Sequence, residues 1–361
     1  MNNEFPKVKH KAIDAHLHIY NWKSEEGEDF FHCFEEYKEN MGLSAINIAA
    51  LPSGYGNDVT SNIMCAVYKL INKDTYAHAG LLYDQYPMGE RLPEDMDFVT
   101  QLNELTDIGF DGIKMIEGKP TMHKKIGKNL LRNEFDRFFS EAEKRKTHII
   151  FHANDPDEFW LEEYATEDGK KRGWFYGDGT FSSYDEIYRQ VYSILEKHPK
   201  LCVTFAHFFF KSKRPNDLVD MFEKYPNMCV DLTPGWEMYL SFYENREYYK
   251  EFFTKFSKRI ILGTDSFFPA KTESNMWRVD RVYRFLSSPD IIKAVDDRYE
   301  GGLCLPDKAI NDITHLNFER QVGIAPKTIN KNALKSYYAK YKHLMTNEDI
   351  KTVESIFARF L

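Results

Sequence analysis

Residues 12–19 read Ala12-Ile13-Asp14-Ala15-His16-Leu17-His18-Ile19. The run is short and apolar, and it carries two histidines two residues apart. Side chains alternate along a strand, so His16 and His18 point the same way, with Asp14 one layer deeper. Two imidazoles on one face at a strand end are half of a metal site. An isolated pair of this kind is equally at home in a core. The ends of the later strands decide between the two.

Seven further apolar runs follow, at 45–51, 76–83, 110–116, 147–153, 201–208, 228–232 and 259–265. Amphipathic stretches at 28–41, 61–71, 93–106, 133–146, 184–197, 216–224 and 236–256 alternate with them. Eight strands alternating with helices fit an open doubly wound sheet or a closed (β/α)8 barrel. No GxGxxG or Walker loop follows the first strand, which removes the best marker of the open nucleotide-binding sheet. His16, Lys114, His152, His207 and Asp265 fall at corresponding strand ends. From His16 to Lys114 is 98 residues over three units, which matches the ~30 residues per unit of a ~250-residue barrel. The reading is therefore α/β: a (β/α)8 TIM barrel, in a single domain over 1–361. Residues 154–183 form an insertion after strand five. Residues 287–361 form a C-terminal helical extension, with helices expected at 330–342 and 347–361 after one at 274–286.

The composition suits this. The chain is 42% hydrophobic and 15% aromatic, ample for a packed core. The net charge is −8 and no basic face is clustered, so a nucleic-acid partner is not expected. A small anionic substrate remains compatible, because a site's charge need not follow the net charge. The five cysteines are odd in number and never form a CxxC pair. A disulfide framework or thiolate zinc site is not expected, and reduced thiols in a cytoplasmic protein are. Residues 1–10 are polar and no apolar run approaches the ~20 residues of a membrane span, so neither a signal peptide nor a membrane association is expected.

In a closed barrel the C-terminal strand ends share one rim. His152 shares a face with Ile150, His207 with Phe205 and Val203, and Asp265 with Gly263 and Ile261, so each polar residue caps an inward apolar row. Three histidines and an aspartate meeting there supply N and O ligands for Zn2+, with a position left for water. The lack of thiolates admits Mn2+ or Fe2+ as well.

The phrases IDAHLH, GFDGIKM, HPKLCVTFAHF and ILGTDSFF, in that order, resemble the amidohydrolase superfamily, and within it the amidohydrolase-2 branch of metal-dependent TIM-barrel enzymes. The resemblance covers Ile13 to about Leu286. It implies that His16, His18, His152 and Asp265 hold one divalent ion per chain. It also implies catalytic roles for Asp265, which takes the proton of the bound water, and for His207. The latter polarises a substrate carbonyl or passes a proton, a second metal being its other use. In binuclear members of the superfamily a strand-four lysine is carbamylated and bridges two metals. The reading preferred here is a mononuclear site with Lys114 as a free, substrate-binding cation.

Arg172 and Trp174 in the insertion, and Trp236 after strand seven, are the other substrate-binding candidates. The insertion then serves as a lid, a homodimer contact being its other use. Arg172 or Arg214 would meet a substrate carboxylate. His123 follows strand four and could reach the pocket; His78 and His148 begin their strands and belong at the barrel bottom. The implied activity is a metal-dependent hydrolase, attacking a lactone, ester or amide carbonyl of a small molecule with metal-bound hydroxide. The alternative is a nonoxidative metal-dependent decarboxylase, a carboxy-lyase of an aromatic or unsaturated acid. The same ligands serve both.

Overall fold

The computed structural model describes residues 5–19, 33–51, 58–83, 97–235, 237–268, 272–293 and 299–361. Nine parallel strands form one sheet: β1 (Ile13–Ile19), β2 (Ala45–Ala49), β3 (Thr75–Gly80), β4 (Gly112–Gly118), β5 (His148–Ala153), β6 (Val203–Phe205), β7 (Met228–Asp231), β8 (Ile260–Ile261) and β9 (Ser266–Phe268). The sheet order is β8-β7-β6-β5-β4-β3-β2-β1-β9. β8 and β9 are two pieces of one chain run, the eighth strand of the barrel. Its first piece pairs with β7 and its second with β1. Between them, Ala15 N–H donates to Leu262 O at 3.0 Å and Asp265 N–H to His16 O at 2.9 Å. The run that begins against β7 ends against β1, and the cylinder closes.

Strands β1 to β5 are buried along their whole length, as expected of a parallel sheet covered by helices. Inside the cylinder, Ile13, Ala15, Ala45, Tyr76, Cys229 and Ile261 gather around Phe318. Phe318 lies in a helical stretch, 307–322, between the helices expected at 274–286 and 330–342. This stretch stoppers the N-terminal mouth. Asn317 Nδ2 donates to the carbonyls of Ser257 and Ile260, both at 2.6 Å, and Leu262 N–H donates to Ile313 O at 2.9 Å. The further C-terminal helices, Lys331–Tyr341 and Asn347–Phe360, fall where the periodicity puts them.

A polar belt crosses the lower barrel. Asn47 Nδ2 donates to Ala15 O, which leaves its Oδ1 for His78 Nδ1–H at 2.7 Å. His78 Nε2 then accepts from His148 Nδ1–H, and His148 Nε2 accepts from Thr204 Oγ1–H, each at 2.8 Å. One consistent set of tautomers satisfies the whole chain. His78 reaches across β4 only because position 112 is glycine: a Cβ there would lie 2.4 Å from His78 Nε2 and 2.4 Å from His148 O.

Three departures from expectation bear on the rim. The sixth strand stops at Phe205, so His207 stands on the turn after it. The eighth breaks over 262–265, where Asp14 Oδ1 accepts Thr264 N–H at 3.1 Å in place of a ladder bond. The helix expected over 236–256 is two, Met238–Glu244 and Arg246–Lys255, parted at Asn245 with φ −120° and ψ 41°.

Candidate metal centre

His16 and His18 project from β1 toward the C-terminal rim. Their rings meet edge to face, with centroids 4.8 Å apart. Each has its Nδ1–H committed: His16 donates to Asp231 Oδ2 at 2.8 Å and His18 to Ala49 O at 2.7 Å. Both therefore present Nε2 with its lone pair, the arrangement that metal-binding histidines need. His18 Nε2 lies 3.1 Å from Asp265 Oδ1. One ligand atom each from His16, His18 and Asp265 fall within 4.8 Å of one another. Two imidazole nitrogens and a carboxylate, deprotonated and oriented, fit a divalent cation.

The electrostatics bear on His16 and Asp265. Burial pushes His16 well below the ordinary imidazole range, and the Lys114 ammonium lowers it further. Burial raises Asp265, but its imidazole neighbours outweigh it and hold the carboxyl well below its usual range, so Asp265 is an anion. Lys114 is 1% exposed and donates to His16 Nε2 at 2.9 Å. Burial lowers its ammonium to about 8, against the raising effect of Asp231 and Asp265.

His152 ends β5 but lies outside that three-residue group. Its Nε2–H donates to Asp155 Oδ1 at 2.9 Å, and its ring meets that of His207 with centroids 4.9 Å apart. Burial lowers both imidazoles to about 4, so both are neutral. Asp155 is a hub. It also accepts Tyr176 OH at 2.6 Å and pairs with Lys119 at 3.1 Å. Tyr176 belongs to the insertion, so this carboxylate ties the insertion to His152.

His207 N–H donates to Asp231 Oδ1 at 2.8 Å and its Nδ1–H to Thr233 O at 3.2 Å. It opens a turn in which His207, Phe208, Phe209 and Phe210 have φ of 55°, 54°, 56° and 51°. Four successive non-glycine residues in the left-handed region are held there by packing. Phe208 stacks on Phe253, Phe209 on Phe205 at 4.0 Å, and Phe210 faces His152 and His207. Asp265, with φ 54°, leaves its strand in the same unusual conformation.

His18, Lys114, Lys119, His152, Asp155, His207, Phe210 and Asp265 line a pocket of about 650 Å³ that also takes in Arg172, Trp174, Phe159, Arg278 and Arg281. Trp174 and Phe159 lie parallel, their planes 1° apart with centroids at 6.0 Å. Trp236 lies outside the described residues. Arg214 is 3.4 Å from Asp157, and His123 is buried against Gln190 at 3.2 Å; neither lines this pocket. The sequence reading missed Asp231, Asp155, Arg278 and Arg281. Asp231 carried a usable signal: it ends an apolar strand, like Asp265.

The family model described as Amidohydrolase matches residues 13–295. No curated protein matches the sequence. Among solved structures, an uncharacterized TIM-barrel protein of Bordetella bronchiseptica aligns with a TM-score of 0.54 at 12% identity, covering 87% of this chain and 99% of its own. A probable 2-pyrone-4,6-dicarboxylic acid hydrolase of Acinetobacter baumannii, with citric acid bound, aligns at 0.51 and 12% identity, covering 87% and 100%. A dihydroxybenzoic acid decarboxylase of Polaromonas, with manganese and the inhibitor 2-nitroresorcinol, aligns at 0.50 and 9% identity, covering 87% and 97%.

Proposed function

The chain belongs to the amidohydrolase family, and we propose that it is a metal-dependent hydrolase of a lactone, ester or amide carbonyl in a small molecule. One observation carries the reading: His16, His18 and Asp265 converge within 4.8 Å at a pocket large enough for a small substrate. One divalent ion per chain is proposed there, Zn2+ first and Mn2+ or Fe2+ next, with His152 as a further ligand. Such an ion supplies Lewis acidity, polarising a carbonyl and acidifying water.

The chain's own groups do the rest. Asp265 accepts the water's proton and returns it to the leaving group. His207 already spends its Nδ1–H on Thr233 O. Its Nε2 is thus a proton acceptor, which fits passing a proton better than polarising a carbonyl. Lys114 donates to the substrate's oxygen.

The carboxy-lyase reading is the rival, favoured by the aromatic wall of Phe159 and Trp174 and by the cations around the pocket. A screen of lactones, amides and aromatic acids, reading acid release against CO2 release, separates the two. His18→Ala and Asp265→Asn should abolish activity and retained metal together. Full activity in either variant would refute the site.

A further inference from the structure

The chain makes a forced turn to bring Asp155 against His152. Strand β5 ends at Ala153, and Asn154 takes φ 74°, in the left-handed region. Asparagine tolerates that conformation better than most residues. Three bonds hold it there. Asn154 N–H donates to Gly118 O at 2.8 Å, its Nδ2 donates to Tyr184 O at 3.0 Å, and its Oδ1 accepts Asp155 N–H at 3.2 Å. The buried Asp155 is thereby folded back on the strand end, with Oδ1 2.9 Å from His152 Nε2.

The donors around Asp155 decide which way that bond runs. Its Oδ2 accepts Tyr176 O–H at 2.6 Å, and Lys119 Nζ stands 3.2 Å from Oδ1 and 3.1 Å from Oδ2. A carboxylate that already accepts from a phenol and an ammonium has no proton to give, so the hydrogen shared with His152 belongs to the imidazole. A neutral imidazole carries one N–H. His152 therefore keeps Nδ1 bare. His16 and His18 are held at Nδ1 and offer Nε2; His152 is held the other way round. Its ring lines the pocket and continues a row of imidazoles, His18, His16, His207 and His152, with successive centroids 4.8, 6.2 and 4.9 Å apart.

We propose that Asp155 is a positioning residue: it locks His152 in the Nε2–H tautomer so that Nδ1 serves the ion, and Tyr176 and Lys119 lock Asp155 in turn. The proposal rests on the reading of the rim as a metal centre with His152 among its ligands. It also makes the insertion a part of that centre. Tyr176 is buried against Trp160 and Phe181, both with centroids at 4.9 Å, and its hydroxyl is the insertion's hold on Asp155.

Two measurements test it. Nitrogen-15 NMR of histidine-labelled, metal-free protein reads the tautomer directly. His152 should show a bare Nδ1 in the parent, and that resonance should move when Zn2+ is added; Asp155→Ala should show a mixture of tautomers. Titration with Zn2+ should show a loss of about 10- to 100-fold in affinity for Asp155→Ala, and of about threefold for Tyr176→Phe. Asp155→Asn keeps an acceptor for Nε2–H without the charge, so it should fall between the parent and Asp155→Ala. A role in packing alone would lower the unfolding midpoint and leave the tautomer where it was. Should Asp155→Ala fail to fold, the parent's spectrum and the two milder variants still decide. An Nδ1–H tautomer in the parent overturns the proposal, and so does Zn2+ affinity unchanged in every variant; either leaves the metal centre standing. A parent that binds no Zn2+ sinks the centre itself, and this proposal with it.

Discussion

The hydrogen bonds around Asp231 make Asp231→Asn a harsher change than its size suggests. Asp231 Oδ1 accepts from three donors: His207 N–H at 2.8 Å, Thr233 N–H at 3.1 Å and the Thr233 hydroxyl. Its Oδ2 accepts from His16 Nδ1–H at 2.8 Å. In the asparagine variant the amide oxygen must stay with the three donors, which forces the NH2 toward His16. Two donors cannot face each other, so His16 must shift its proton to Nε2. That nitrogen is the one offered to the ion, and at 1% exposure no water can relieve the conflict. Disrupting such a supporting bond typically costs 10- to 100-fold in metal affinity, roughly 1.4–2.8 kcal/mol. Titration of metal-free protein with Zn2+ or Mn2+ should show that loss, with the unfolding midpoint little changed. Asp231→Ala leaves His16 free to choose its tautomer, so affinity should fall in the order Asp, Ala, Asn. An asparagine variant that binds the ion within about threefold of the parent would refute the argument.

Three other outcomes are expected. Burial lowers His148 from 6.5 to about 3. The native state therefore resists a proton that the unfolded chain takes up below pH 6.5. The stabilisation is complete above that pH and is lost as pH falls toward 3, about 2 kcal/mol of it by pH 5. Urea titrations at pH 7 and 5 should show the parent losing that amount relative to His148→Gln; an identical difference at both pH values speaks against it. Gly112→Ala puts a methyl against His78 and His148 O, and should cost about 3 kcal/mol in urea unfolding; an unchanged midpoint would contradict the packing of the belt. Lys114→Met removes a cation 2.9 Å from a proposed ligand nitrogen and should tighten ion binding by about tenfold at a stoichiometry of one. Weaker binding, or the loss of a second ion, would point to a carbamylated, bridging lysine.

Much of the barrel was legible because buried parallel strands are written as short apolar runs, and β1 to β5 and β7 need little more than that. His16 and His18 were readable for a reason equally local: alternation puts them on one face whatever surrounds them. The sixth and eighth strand ends were not. There the backbone answers to partners far away in sequence, Asp231 for His207 and Asp14 for Thr264, and left-handed residues replace strand where periodicity continues it. Phe318 escaped notice because a stopper for the barrel mouth is defined by the hole it fills. Arg278 and Arg281 escaped because a helix's own pattern shows which residues share a side, not which side looks into the pocket.

The left-handed turn at His207–Phe210 carries a consequence for how this protein tolerates change. Such a conformation costs roughly 1–2 kcal/mol per residue, and here three wedged aromatic rings hold it shut like a cocked spring. Release any wedge and the imidazole at its head swings away. Phe208 is wholly buried against Phe253, so the placing of His207 at the pocket rests on packing away from it. Drift at this distant ring would therefore be felt at the rim, in where the His207 imidazole stands.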